Sequence, residues 1–257
     1  MTRKIAIIGG KGGVGKTTIT SNLAYALTEL GEDVIAIDGN MTTPNLGMHV
    51  GMHLAQKTLH DVLKGDTKLA RALYHHPFGF KLIPASISVD ALTGTDPEKL
   101  ATVTFYLTGR ADYILIDCAA GLGREAVSAI DAVDEILLIT NPDLPSVTDA
   151  LKTASIAKRM GKDIIGVVVN RRKRKEHELS LKEIKELLEL PVISQIPEDK
   201  LIAESIAAKQ PIIEYAPGSD AAIEINRLAH KMTGRRFRYR KPVNMRILDR
   251  LVGWMSS

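Results

Sequence analysis

Short apolar runs recur along the chain, and segments of helical periodicity lie between them. Ile5-Ala6-Ile7-Ile8, Val34-Ile35-Ala36-Ile37, Tyr113-Ile114-Leu115-Ile116, a run over 136–140 and Val167-Val168-Val169 have the length and β-branched content of strands buried on both faces. After the first of them, Ile19, Leu23, Ala26, Leu27 and Leu30 recur at helical spacing and predict a helix over 17–30. Strands alternating with helices predict an α/β fold, a doubly wound, mostly parallel sheet with helices on both faces. At 257 residues and 45% hydrophobic, the chain can bury one large core of this kind without a second domain.

The turn between the first strand and the first helix carries the chemistry. Gly9-Gly10-Lys11-Gly12-Gly13-Val14-Gly15-Lys16-Thr17-Thr18 contains a complete GxxxxGKT pattern. Its glycines let consecutive backbone N–H groups converge on one anion, Lys16 reaches the β/γ-phosphates and Thr17 ligates Mg²⁺. Phosphate then sits at a helix N-terminus, where the dipole favours negative charge, and the expected fold is that of a P-loop NTPase. Asp38 and Asp117 end two of the other apolar runs. They stand at the carboxyl edge of the sheet, where ligands bind in open α/β folds. For Asp117, capping of the following helix is the structural alternative to a metal role.

Lys11 extends the loop to KGGVGKTT, which resembles the deviant Walker A family of ATPases, the MinD and ParA ATPases among them. The resemblance implies a homodimer holding two ATP between its subunits, with Lys11 reaching the partner's phosphates as a charge-assisted contact in trans. It implies nucleotide contacts from Gly10, Lys11, Gly12, Gly13, Val14, Gly15, Lys16, Thr17 and Thr18, and metal ligation by Thr17, Asp38 and Asp117. Asp38-Gly39-Asn40 corresponds to a family segment that is usually Asp-x-Asp, whose second carboxylate positions water. Asn40 can accept a hydrogen bond from water but cannot take its proton, so hydrolysis is expected to be slow and partner-stimulated or to lean on Asp38. Lys11, Lys16, Asp38 and Asn40 are the catalytic candidates. A module that holds ATP without turning it over is a weaker reading of the same Asn40.

Further segments follow the family's order. Asp117-Cys118-Ala119-Ala120-Gly121 has Ala119 where the family has proline, and the Gly121 backbone is expected near the γ-phosphate. Asn141-Pro142-Asp143 leads into a helix over 146–160, carrying Asp149, which in the family lines the dimer cleft and receives regulatory partners. Asn170 with Arg171 matches the segment that reads the adenine edge, and Ile196-Pro197-Glu198-Asp199 matches a loop that wraps the base. Asn170-Arg171 and this last loop resemble the MinD branch, archaeal MinD-like proteins in particular.

Charge alters the picture at one end only. Over 235–250 there are seven cations and one anion, so that segment carries +6 and the remaining residues −2. Beyond Pro242, Ile247, Leu248, Leu251, Val252, Trp254 and Met255 fall within one arc of about 160°, with Arg246, Asp249 and Arg250 opposite. This is the pattern of an in-plane membrane anchor, and it resembles the MinD C-terminal targeting helix. Folding back onto the domain is the alternative. One such helix binds weakly, whereas two on a dimer gain avidity, so ATP could control residence on an anionic membrane surface. The expected organisation is an ATPase domain over 1–233, a basic linker over 234–244 and an amphipathic helix over 245–257.

The remaining features set bounds. The lone Cys118 excludes an intrachain disulfide, and no apolar run reaches the roughly 18 residues of a spanning helix, so the expected location is cytoplasmic, peripheral on the inner face of the membrane. The dense cluster Arg171-Arg172-Lys173-Arg174-Lys175 is a solvated loop, an anionic-lipid contact or a nucleic-acid contact. Two functions remain: a MinD-type ATPase that positions a division site or other cell-surface assembly, and a ParA-like ATPase that binds DNA phosphates without sequence preference. An apolar tail face bearing Trp254 favours the first, since DNA has no use for it.

Overall fold

The computed structural model describes residues 1–173 and 175–238. Its sheet has eight strands: β1 (Arg3–Ile8), β2 (Val34–Gly39), β3 (Tyr74–His75), β4 (Lys81–Ile83), β5 (Tyr113–Cys118), β6 (Glu135–Thr140), β7 (Asp163–Arg172) and β8 (Val192–Pro197). They lie in the order β3-β4-β2-β5-β1-β6-β7-β8, and only β3 runs antiparallel to its neighbour. β1 is central, flanked by β5 and β6, so the P-loop leaves the sheet where the strand order reverses and a crevice opens.

Alternation along the strands divides the apolar residues between two cores. Ile5, Ile7, Val34 and Ala36 face the Lys16–Glu29 and Asp220–Met232 helices through Leu23, Leu27, Ile225 and Leu228. Ala6, Ile8, Ile35 and Ile37 face the opposite layer, which includes Ile130, Ala150, Ala154 and Ile184. The predicted doubly wound α/β architecture is the observed one.

Boundaries shift where caps decide them. The helix expected over 146–160 runs from Leu144 to Arg159, because the Asp143 carboxylate accepts the Ser146 N–H at 2.9 Å and Pro145 fits the first turn. The segment between β2 and β5, for which the apolar pattern gave no individual elements, holds the β3–β4 hairpin and helices at Leu46–His49, Leu59–Lys64, Leu69–Ala72 and Leu100–Leu107.

The linker begins by folding on the domain. After Gly234, Arg235 donates to the Leu30 carbonyl and pairs with Glu32 at 2.7 Å, and the Phe237 ring packs 5.0 Å from His230. The amphipathic pattern of Ile247, Leu248, Leu251, Val252, Trp254 and Met255 lies outside the described residues. Among the described residues no helix is long and apolar enough to cross a membrane.

Candidate nucleotide site

The Lys16–Glu29 helix starts without a side-chain cap and with no acidic residue in its first turn. The helices that begin at Leu144, Leu181 and Asp220 are capped by Asp143, Ser180 and Ser219, whereas those over Leu100–Leu107 and Arg124–Asp131 also lack a side-chain cap. Uncapped N–H groups at a helix N-terminus call for an anion. Gly13 and Gly15 shape the loop at φ of 79° and 100°, a conformation that L side chains rarely adopt.

Behind the loop, the Asp117 carboxylate accepts from the Thr17 hydroxyl at 2.6 Å and lies 3.4 Å from the Thr20 hydroxyl oxygen. Strand register sets Asp38 beside Asp117, and both are fully buried. Burial drives both acids upward, Asp117 to about 6, and the Asp117 charge raises Asp38 further. Burial likewise pushes the Lys16 ammonium down and the Cys118 thiol up. Two acids and a lysine in one buried locus, with a threonine hydroxyl between loop and acid, are a donor set suited to a hydrated divalent cation on a phosphate chain. Asp38 is also committed elsewhere. Its two oxygens accept from Asn40 N–H at 3.3 Å and Leu46 N–H at 3.0 Å.

A cavity of about 350 Å³ opens over this locus, lined by Gly12, Gly13, Gly15, Lys16, Thr17, Thr18, Asn40, Cys118, Ala120 and Arg171. Thr43, Asn45, His49 and Ile206 complete its wall, and no motif announced them, because they stand on loops and helices without a sequence signature. Gly121 takes φ of 77° next to Ala120. Lys11 is exposed at the mouth of the loop, and no hydrogen bond or ion pair engages its amine among the described residues. Val14 is buried.

The residues expected to meet the base stand at the ends of β7 and β8. Asn170 Nδ2 donates to the Val14 carbonyl at 2.7 Å, and its buried Oδ1 has no partner among the described residues. That orphan acceptor fits an exocyclic amine such as adenine's. Gly15 admits the amide, since a Cβ there would lie 2.2 Å from Nδ2. Arg171 reaches Glu198 at 4.0 Å, Asp199 accepts the Leu201 N–H at 2.9 Å, and Pro197 lines a neighbouring cavity with Arg172 and Lys173. Arg172 lies 3.6 Å from Glu178 with both side chains largely buried. The basic cluster is thereby divided, with Arg171 at the nucleotide cavity and Arg172 in the fold.

Asn170→Ala is expected to free the Val14 carbonyl, lower the melting temperature by about 3–5 °C and weaken nucleotide binding roughly tenfold. Calorimetry and titration with a fluorescent nucleotide check both. Unchanged nucleotide affinity rules out the base-reading role.

A central P-loop at a sheet switch point, two strand-end acids behind it and a cavity of nucleotide dimensions define a P-loop nucleotide-binding protein. Residues 5–212 match the CobQ/CobB/MinD/ParA nucleotide binding domain family. The chain belongs to that family, and its likeness is to the MinD branch. An uncharacterised ATP-binding protein of Methanocaldococcus jannaschii is 39% identical, covering 92% of this chain and 90% of its own. The septum site-determining protein MinD of Pyrococcus horikoshii, solved as a complex with Mg-ADP, is 39% identical with a TM-score of 0.88, covering 90% of this chain and 96% of that one. MinD of Aquifex aeolicus, solved as a MinC:MinD cell division complex, is 30% identical with a TM-score of 0.83, over 93% and 99% of the two chains.

Proposed function

We propose that the protein is a MinD-type ATPase switch. ATP with Mg²⁺ would occupy the cavity, with the phosphates on the loop over Gly10–Thr18, the metal held among Thr17, Asp38 and Asp117, and the base against Asn170. Lys16 neutralises the phosphate chain from below, where low dielectric strengthens its attraction. Lys11 supplies the second cation from a partner copy, so two chains close face to face around two nucleotides and hydrolysis depends on association. The observation that carries this reading is the contrast between two lysines of one loop: Lys16 is buried beside Asp117, while Lys11 stands exposed and unengaged among the described residues.

The paired amphipathic tails then hold the dimer on an anionic membrane surface, and hydrolysis releases it. The exposed line Leu144, Thr148 and Leu151 offers a regulatory protein a surface on the Leu144–Arg159 helix, the helix whose Asp149 backbone abuts Gly10 of the P-loop. The job of such a cycle is to place a division site or another assembly at the cell surface. The DNA-binding alternative loses support from the Arg172–Glu178 pair, which withdraws one of its cations.

Liposome co-sedimentation decides between the readings. The full chain is expected to pellet with anionic vesicles at least about tenfold more in ATP than in ADP, from two-site avidity. Deleting residues 245–257 is expected to abolish pelleting while leaving ATP-dependent dimerisation by light scattering intact. Equal, weak pelleting in all conditions, with retention on duplex DNA, overturns the membrane reading in favour of the other.

A further inference from the structure

Asn40 closes the loop after β2 on itself. Its Nδ2 donates to the Thr43 carbonyl at 2.6 Å, and its Oδ1 accepts from the Thr43 hydroxyl at 3.0 Å. Asn45 Nδ2 donates to the same carbonyl at 2.7 Å. A carboxylate at position 40 has no proton to give that oxygen, so the amide here does what the acid cannot.

The closed loop is then fastened to another element. Glu125 stands in the first turn of the Arg124–Asp131 helix, which follows β5. One of its oxygens, Oε2, accepts the N–H groups of Met41 at 3.0 Å and Thr42 at 3.2 Å, and Oε1 accepts from the Thr42 hydroxyl. A single half-buried carboxylate thus takes three donors from a loop distant in sequence. Asn40, Thr43 and Ala120 line the nucleotide cavity, and the same three line a second cavity of about 470 Å³ whose wall includes Thr42 and Glu125.

We propose that Glu125 is a positioning residue for triphosphate hydrolysis: it ties the loop after β2 to the helix that follows the β5 loop, so that Asn40 and Thr43 stand over the phosphate end of the cavity. The proposal deepens the ATPase reading above and rests on it. Glu125 does no chemistry itself, because its oxygens are occupied by the loop it holds. What it supplies is order in the segment 40–45, which has no strand or helix of its own before Leu46. A loop so held presents its polar groups to the nucleotide without first losing conformational freedom. It also moves with the β5 side of the site, so whatever the nucleotide does to one side is felt on the other.

The full chain and its Glu125→Ala and Thr42→Val variants separate the possibilities. In nucleotide-free protein, amide exchange at Met41 and Thr42 is expected to quicken by roughly 30-fold in Glu125→Ala and about threefold in Thr42→Val, following the donors released. Steady-state hydrolysis of Mg-ATP is expected to show kcat reduced about tenfold in Glu125→Ala, with KM and ADP affinity within about twofold of the native values. A change confined to stability would leave kcat of the folded fraction untouched. Native exchange rates or a native kcat in Glu125→Ala overturn the proposal. If that variant does not fold, Thr42→Val carries the test by its own smaller changes in both readouts. A native chain that hydrolyses no ATP overturns the ATPase reading and the positioning role together, and a surviving exchange contrast then marks the tie as purely structural.

Discussion

Gly10→Ala is expected to lower the melting temperature by roughly 10 °C and to weaken nucleotide binding by at least about 100-fold, whereas Gly12→Ala is expected to leave stability unchanged. A Cβ on Gly10 would lie 2.3 Å from both the carbonyl carbon and the carbonyl oxygen of Asp149. Those are backbone atoms in the middle of the Leu144–Arg159 helix, so no rotamer change relieves the overlap. Either the phosphate loop or the helix has to move. If the helix yields, it leaves Val147, Ala150 and Ala154 poorly packed in the core they share with β1 and β6. If the loop yields, its N–H groups no longer converge on one point, and the loss of two or three charge-assisted hydrogen bonds accounts for the drop in affinity. A Cβ on Gly12 meets only the Ala120 Cβ at 3.9 Å, an ordinary contact. Differential scanning calorimetry and fluorescent-nucleotide titration of the two variants check the pair. Equal melting temperatures remove the close approach of loop and helix as a constraint.

The same approach couples the Leu144–Arg159 helix to the loop, so that a protein docked on this helix, as proposed above, would act one backbone away from Gly10. Leu144 and Leu151 are 57% and 39% exposed on that helix, while Val147 and Ala150 behind them are buried.

The legible part of the molecule was the part whose residues do one thing. β1, β2, β5 and β6 are short and largely apolar, as is the Val167–Val169 centre of β7, and the loop after β1 has a pattern that backbone geometry alone demands. The segment between β2 and β5 hid its elements for the opposite reason. Leu46–His49, Leu59–Lys64 and Leu69–Ala72 are too brief to display a helical period, and β3 has two residues. Glu125 was invisible because its role lies in where the sheet brings its helix, beside a loop on another strand. The sequence expected Asn170 to read the base, and the structure adds that the same amide first holds the Val14 carbonyl. Asn40 looked like a diminished acid, yet its amide makes a closed turn with Thr43.

Asp117→Asn is expected to make the nucleotide-free protein more stable at pH 7.5, by roughly 5 °C, while cutting Mg-ATP turnover at least about 100-fold. Burial pushes this carboxyl from 3.8 to about 6. Below about pH 4 it is protonated in the folded and the unfolded chain alike, and its burial carries no charge penalty. As pH rises from about 4 to about 6, the unfolded chain releases its proton while the folded chain retains it, so stability falls across that window and stays lower above it. The gap corresponds to about 3 kcal/mol at 1.36 kcal/mol per pH unit, less whatever Lys16 loses when its counter-charge goes. Asparagine keeps the shape and the network: Oδ1 still accepts the Thr17 hydroxyl, and Nδ2 can donate to Thr20, whose own proton goes to the Lys16 carbonyl at 3.0 Å. It also relieves Asp38, whose own carboxyl is raised by the neighbouring charge. The advantage of the variant is therefore expected to vanish near pH 4 and to shrink for the native chain when millimolar Mg²⁺ and nucleotide supply the missing positive charge. Thermal melts from pH 4 to 8, with and without Mg-ADP, measure this. A variant less stable than the native chain at pH 7.5 without ligand would show that the buried acid pair stabilises the fold, in place of being a strain that the fold maintains for the sake of binding a cation.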